Sequence, residues 1–170
     1  MHLKRKRSFW RRMLCCCGWK TAREELEEEL HLEGLDSAET INLSYQELGD
    51  DYQITHLRAI LRGLKRAKRL ILNDNDLSKL SDLRLPPSLE TLYVCRNEFT
   101  SFLDLPTCPN LKVLDASDNH IASLDGLLGL FPKLEALVLT GNPITREADY
   151  RSRVKKLGLS GLTKLDHISL

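Results

Sequence analysis

The amino-acid sequence predicts an α/β solenoid of about five repeats, with a parallel concave sheet, an N-terminal helix and a C-terminal cap. The pattern apolar-x-x-apolar-x-apolar-x-x-Asn-x-apolar starts at Ala38, Ala67, Leu89, Leu111 and Leu134, with Gln in place of Asn in the first copy and periods of 29, 22, 22 and 23 residues. Alternating apolar residues at the centre of each copy suit a short strand with one buried face. Because one copy cannot bury that face alone, the copies are expected to stack side by side.

The charge of the chain is distributed unevenly. The 170 residues contain 25 Lys and Arg against 24 Asp and Glu, for a net charge of +1. Residues 1–20 hold seven basic residues and no acid, which leaves −6 for the rest: Lys4, Arg5, Lys6, Arg7, Arg11, Arg12 and Lys20. We therefore expect residues 1–20 to form a flexible basic arm outside the folded body. No apolar stretch approaches the ~18 residues that span a bilayer.

The basic arm contains three adjacent cysteines, Cys15, Cys16 and Cys17, next to Trp10 and Trp19. This composition resembles the basic, aromatic, multi-cysteine segments that undergo S-palmitoylation. Each cation near an anionic leaflet contributes about 1 kcal/mol, tryptophans favour the interface, and two acyl chains anchor stably where one does not. The expectation is lipidation at the three cysteines and a peripheral position on an anionic membrane. N-myristoylation is excluded because residue 2 is His.

Other interpretations of the arm remain open. The run 4–7 could be a nuclear import signal or a nucleic-acid contact, and an acid-free, Arg-rich start could be an organelle presequence. Three thiols could bind a soft metal, although adjacent cysteines cannot easily direct three sulfurs at one ion. The arm could also be solvated and inert.

Residues 21–35 are predicted to form an acidic N-terminal capping helix. Thr21 and Glu24 have the spacing of a capping box. Ala22, Leu26 and Leu30 recur every four residues, which suits a narrow apolar stripe packed on the first repeat. The segment also contains six glutamates, which are expected to face solvent or, alternatively, to form an acidic binding face: Glu24, Glu25, Glu27, Glu28, Glu29 and Glu33.

A column of asparagines closes the strand of each later copy: Asn75, Asn97, Asn119 and Asn142. A side-chain amide supplies donors and an acceptor, so each Asn can satisfy backbone groups where the chain turns inside the core. Gln46 replaces Asn in the first copy, which predicts a looser first turn.

The first repeat is longer than the others because it contains a helical pattern. Residues 53–64 carry apolar residues at helical spacing, and they predict an amphipathic helix on the convex side. Basic residues surround the end of this helix: Arg58, Arg62, Lys65, Arg66 and Lys68. They either complement the helix C-terminus or form a site for phosphate or an acidic partner.

With its short periods and its Asn column, the sequence resembles leucine-rich-repeat proteins of the SDS-type class, over residues 36–170. The end of the chain resembles the C-terminal cap of that class, axonemal dynein light chains and the spliceosomal A-prime protein, through Tyr150, Arg151, Val154, Leu165 and Asp166. Ser160 stands where that cap often has proline. The resemblance implies repeats over 36–144 and a cap over 145–170.

The exposed strand positions are predicted to form a partner-binding face. An apolar strip flanked by charges is expected from Arg69, Ile71, Tyr93, Arg96, Val113, Asp115, Asp118 and Val138. Aromatic and arginine side chains often carry interface energy. No column supplies a run of cations, so nucleic acid is unlikely on the repeats, and a monomer is expected.

No catalytic motif accompanies the repeat. The sequence has no Gly-rich phosphate loop, His-Glu-x-x-His motif or Gly-x-Ser-x-Gly elbow. We therefore expect no enzyme, no cofactor and no metal. Five cysteines without a disulfide framework favour a reducing compartment.

These features predict a non-enzymatic protein-interaction scaffold in the cytoplasm, tethered to a membrane by the arm. Two alternatives follow from the resemblance. One is an assembly subunit of an axonemal or ribonucleoprotein particle, located in the cilium or nucleus. The other is a phosphatase regulatory subunit.

Overall fold

A computed structural model describes residues 37–170. The predicted basic arm (1–20), its three cysteines and the predicted acidic helix (21–35) lie outside the described residues. The account below therefore concerns the repeats and the cap.

One sheet runs through the described part of the chain. Its strands, in chain order, are β1 (Thr40–Asn42), β2 (Arg69–Ile71), β3 (Thr91–Tyr93), β4 (Val113–Asp115), β5 (Ala136–Val138), β6 (Lys164–Leu165) and β7 (Ile168–Ser169). Their order in space is the same as in the chain. Strands β1 to β6 are parallel, and β7 turns back antiparallel to β6. This is the topology of a solenoid in which each repeat adds one strand.

The strands pair in the register of the repeat. Ile41, Leu70, Leu92, Leu114 and Leu137 occupy equivalent positions and are all buried. The residues on either side of each point to the opposite face of the sheet. The period-2 pattern therefore creates one buried face and one concave face.

Helices and 3-10 turns connect the strands on the convex side. They are α1 (Asp51–Gly63), a 3-10 turn at Phe102–Asp104, α2 (Leu127–Leu130), a second 3-10 turn at Pro143–Arg146 and α3 (Tyr150–Lys156). Helix α1 begins two residues before the predicted start. The Asp50 side chain caps it by accepting a hydrogen bond from the Gln53 amide at 2.8 Å.

The core is a continuous apolar layer between the sheet and the convex connections. Leu57, Ile60 and Leu61 line the buried side of α1, and Leu64, which follows the helix, is also buried. Three phenylalanines fill the later repeats without measurable exposure: Phe99, Phe102 and Phe131. Burial of each such ring contributes about 1.5–3 kcal/mol.

The C-terminal segment closes the last repeat. Tyr150 and Val154 of α3 are buried, and Leu165 of β6 pairs with Leu137. The guanidinium of Arg151 donates to the carbonyls of Leu165 and Ser169, both at 3.3 Å. This arrangement covers the edge of β5 that a further repeat would otherwise cover.

Candidate functional site

The Asn column is buried beneath the concave face and holds the backbone of neighbouring repeats together. Asn97 Oδ1 accepts from the amides of Asn75 (3.2 Å) and Leu77 (3.0 Å), and its Nδ2 donates to the carbonyls of Leu72, Val94 and Cys95. Asn75, Asn119 and Asn142 make equivalent bonds between neighbouring repeats, and all four side chains are buried. Each turn is therefore fixed relative to the next by hydrogen bonds in a low-dielectric environment.

The first turn is built differently. Gln46 is half-buried and its Nε2 donates to the Ser44 carbonyl of its own repeat at 2.9 Å. Its backbone amide donates to Asn75 Oδ1 at 2.8 Å. The inter-repeat bond is thus made by the backbone of residue 46 and the side chain of Asn75.

A second column adopts left-handed backbone conformation. The residue before each Asn or Gln has positive φ: Tyr45 (60°), Asp74 (55°), Arg96 (51°), Asp118 (52°) and Gly141 (84°). This geometry turns the chain from the strand into the convex connection. The side chains of these residues consequently form a rim along the end of the strands.

The middle column of the concave face contains Ile71, Tyr93, Asp115 and Val138 on adjacent strands. Ile71 and Tyr93 lie side by side and are half-buried, whereas Val138 is only 8% exposed. Asp115 lies between Tyr93 and Val138, so the apolar strip is interrupted. Val113 lies two residues before Asp115 on the same strand and is half-buried.

The charged flanks of the face differ in their partners. Arg96 forms a two-pronged ion pair with Asp74, with Nε–Oδ1 at 2.6 Å and Nη2–Oδ2 at 2.8 Å. This contact lowers the pKa of Asp74, and the nearby Tyr45 hydroxyl adds to the effect. Arg69 and Asp118 are exposed and form no ion pair with another described residue.

A polar cluster occupies the floor of the face at β4. The Ser117 hydroxyl donates to Asp115 Oδ1 at 2.7 Å and lies 3.1 Å from the Cys95 sulfur. Burial raises the pKa of Cys95 to about 11. The thiol therefore stays protonated at neutral pH and behaves as a packing group.

The sequence prediction placed Arg96 at the edge of the binding face but missed its link to Asp74 and Tyr45. The signal was present in the spacing, because Asp74 and Arg96 are 22 residues apart, which is one repeat period. Side chains one period apart meet across neighbouring strands.

The predicted cap residues lie together at the end of the solenoid. Asp166 Oδ1 accepts from the Leu139 amide at 2.7 Å, and the Asp166 carboxylate lies near the Tyr150 hydroxyl. Burial, followed by the Asp166 charge, raises the pKa of Tyr150. A groove of about 280 Å³ beside this cap is lined by Val154, Lys155, Leu159, Leu162 and Leu170.

Within residues 37–170 no group of three or more His, Cys, Asp or Glu side chains is placed to hold a metal ion. The same residues contain no helix long and apolar enough to cross a membrane.

The stacked strands, the Asn column and the cap define a class of protein, the leucine-rich-repeat proteins, and the chain belongs to it. The family model "Leucine Rich repeats (2 copies)" matches residues 109–152. Human leucine-rich repeat-containing protein 51 is 32% identical over 168 residues, covering 78% of this chain and 88% of the relative.

A second relative has a name that indicates its assembly. The U2 small nuclear ribonucleoprotein A' of Neurospora crassa is 43% identical over 82 residues, or 46% of this chain. The match covers 32% of that protein's length. A solved structure, the Drosophila melanogaster SNF/U2A' complex, contains a chain with the same fold, at a TM-score of 0.61 and 24% identity over 77% of this chain and 74% of the other.

The fold and the relatives support a protein-interaction scaffold. Leucine-rich-repeat domains of this kind present a concave surface to partners and typically perform no catalysis.

Proposed function

We propose that the chain is a non-enzymatic adaptor that binds a protein partner on its concave face. The observation that carries the proposal is the arrangement of Ile71 and Tyr93 side by side and half-exposed, near the Arg69 guanidinium, which forms no ion pair with another residue of 37–170. An aromatic and an arginine at the centre of a concave surface are typical interface anchors. The proposed site also includes Arg96, Val113, Asp115, Asp118 and Val138.

The test is quantitative affinity capture with the tagged full chain from its own cells. We expect Tyr93→Ala to remove about 2 kcal/mol of binding free energy, equivalent to roughly 30-fold in affinity. The matched control is Leu128→Ala, since Leu128 is an exposed apolar residue, 45% accessible, in α2 on the convex side. A prey protein that Tyr93→Ala loses and Leu128→Ala retains supports the proposal. Equal retention by both variants contradicts it.

A second candidate function is assembly into a ribonucleoprotein particle, which would place the chain in the nucleus. The 43% identity to U2 small nuclear ribonucleoprotein A' over 46% of this chain favours it. RNA recovered in the same affinity capture is then expected to be enriched in a small nuclear RNA. Recovery of protein partners without any enriched RNA would contradict this candidate. An axonemal role and a phosphatase-regulator role have no comparable support among the relatives named above.

Membrane tethering through the basic arm is a separate proposal about location. It rests on the composition of residues 1–20, where Cys15, Cys16 and Cys17 adjoin seven cations. Cell fractionation should show that replacing the three cysteines by serine moves the full chain from the membrane fraction to the soluble fraction. Hydroxylamine-sensitive acyl labelling of the wild type is expected in parallel. A soluble, unlabelled wild type would overturn the proposal.

A further inference from the structure

The structure shows a positively charged area on the convex side, separate from the concave face. We call the residues Arg58, Arg62, Lys65, Arg66 and Lys68 the basic surface. Between Asp51 and Asp74 the chain contains no acidic residue. All members except the half-buried Arg58 are exposed. The area therefore has a strong positive potential next to the first repeat.

All three arginines of the basic surface lack a carboxylate partner within residues 37–170. Arg58, Arg62 and Arg66 make no ion pair with another residue of that range, whereas Lys68 pairs with Glu39 at 2.9 Å. Arg58 and Arg62 lie one helical turn apart on α1, about 6 Å along its axis. A guanidinium row with this spacing suits carboxylates that are themselves about one turn apart.

The described chain also begins beside the basic surface. The Glu39 carbonyl accepts from the amides of Lys68 and Arg69, both at 2.9 Å, and its carboxylate holds Lys68. Residue 37 is only four residues after Glu33, a reach of roughly 13 Å. Glu33 is therefore tethered near the start of the described chain, and this tether gives the glutamates before it a high effective concentration at the basic surface.

We propose that the basic surface binds the chain's own acidic segment, residues 24–33. The six glutamates, with one cation immediately before them, have the charge that complements the five cations of the basic surface, and no acid lies among those five. The charge complementarity and the short connection favour this occupant over an external polyanion. The contact would fix the N-terminal segment on the first repeat and cover the arginines. It is independent of partner binding on the concave face.

The first test is zero-length carbodiimide cross-linking of the full chain, read by mass spectrometry. The variant Arg62→Lys/Arg66→Lys keeps the charge and provides amines. We expect links from residues 24–33 to the two introduced lysines at least tenfold more often than to Lys155 and Lys156, which are exposed at the far end of the solenoid. The links should occur in the monomer and decline at 1 M NaCl, where the Debye length falls to about 3 Å.

Three outcomes of that experiment would overturn the proposal. Links as frequent to Lys155 and Lys156 would show that the segment does not select the basic surface. Links confined to Lys4, Lys6 and Lys20 would assign the glutamates to the basic arm instead. Links found only in a species of twice the mass would show pairing between two molecules.

The second test measures access to the segment. Cleavage by a glutamyl endopeptidase after residues 24–33 should be at least threefold faster in Arg62→Gln/Arg66→Gln than in wild type. The matched control, Lys155→Gln/Lys156→Gln, has the same charge change in α3 and should cleave at the wild-type rate. Thermal unfolding verifies that both variants fold. Equal cleavage rates would contradict the proposal.

A third measurement separates the acidic segment from an external polyanion. A short RNA duplex serves as the probe, with full-length wild type and with Glu25→Gln/Glu28→Gln/Glu29→Gln. If the segment covers the basic surface, the triple variant should bind the duplex at least tenfold more tightly, and Arg62→Gln/Arg66→Gln in that background should remove the gain. An affinity that the glutamate variant leaves unchanged would overturn the proposal, and weaker binding by Arg62→Gln/Arg66→Gln in the wild-type background would then show that the surface is open.

Discussion

At the scale of single residues, four buried asparagines carry the connections between repeats. Each accepts from an amide of the preceding repeat and donates to carbonyls of two repeats, so removal of one side chain leaves at least one amide without its acceptor. An unsatisfied buried group costs about 1–3 kcal/mol. The asparagines therefore contribute more to stability than their small apolar area suggests.

Asn97→Ala is expected to lower the free energy of unfolding by about 3 kcal/mol, because the amides of Asn75 and Leu77 lose their acceptor and three carbonyls each lose one of two donors. The control is Asn73→Ala, since the side chain of the half-buried Asn73 accepts a hydrogen bond from the Cys95 amide at 2.9 Å. We expect a loss of about 1 kcal/mol there. Urea unfolding measures both values. Equal losses would contradict the special role of the Asn column.

Gly141→Ala is expected to destabilise the last repeat by about 2 kcal/mol. Gly141 has φ of +84°, and a Cβ atom there would lie 2.2 Å from Asp118 Oδ1 and 3.2 Å from the Asp118 backbone. Gly129→Ala is the control, because nothing lies within 4 Å of a Cβ at that site. Thermal unfolding should show a lower melting temperature for the first variant alone. A melting temperature for Gly141→Ala at or above that of Gly129→Ala would be inconsistent with the close approach.

At the scale of elements, the cap substitutes for a missing repeat. In the repeats, an Asn side chain accepts amides from the preceding turn, and at the end Asp166 Oδ1 accepts from the Leu139 amide. Leu165 provides the buried residue of a further strand position. The cap thus continues both the hydrogen bonding and the apolar layer by one further strand, β6, and β7 covers the edge of that strand.

Asp166→Ala is expected to cost about 2 kcal/mol of stability, since the Leu139 amide loses its acceptor. Asp166 also has φ of 50°, which Asn tolerates better than Ala. Asp166→Asn keeps an acceptor and should cost less than half as much. Chemical unfolding of both variants provides the comparison. Asp166→Ala with wild-type stability would show that the bond is dispensable.

Helix α1 should make stability depend on pH below neutrality. Burial lowers the pKa of His56 below its ordinary value of 6.5, and the Asp50 charge opposes this shift. The unfolded chain therefore takes up the proton more readily, so the contribution of His56 is present above pH 6.5 and is lost as the pH falls through its folded value.

His56→Gln should reduce the loss of stability between pH 7 and pH 5. The urea midpoints of wild type and variant at each pH measure this loss of stability. Midpoints between pH 7.5 and 9 provide the control, because His56 is neutral there in the folded and the unfolded state. A loss between pH 7 and pH 5 that is the same in wild type and variant would exclude His56 as its source.

At the scale of the whole molecule, the repeat pattern was sufficient to predict the fold. The period and the alternation of Leu70, Leu92 and Leu114 determine the register, because one buried face permits one pairing. The described strands have this register, and the leucine-rich-repeat fold is confirmed. Helix α1 was also predictable from its apolar spacing. Its start was not, because the Asp50 cap lets the helix begin two residues earlier.

The concave face was less predictable than the core. Tyr93 and Ile71 could be placed there from alternation alone, but the pairing of Arg96 with Asp74 depends on side-chain reach across strands. Neither alternation nor composition specifies whether an exposed charge finds a partner. For the same reason the sequence does not distinguish Arg96, which pairs with Asp74, from Arg69, which has no ion-pair partner among the described residues. Partner binding by these residues stays a prediction.

In the rim of residues with positive φ, higher thermal stability and the side chains available for binding oppose each other. Tyr45 and Arg96 adopt positive φ, a conformation that costs L-residues about 1–2 kcal/mol and suits Gly or Asn better. The exposed Arg96–Asp74 pair returns at most about 1 kcal/mol. Selection for higher thermal stability would therefore favour Gly or Asn at Tyr45 and Arg96. The optimised protein would have a higher melting temperature, but it would lack the aromatic and cationic groups that this edge would offer to the proposed partner.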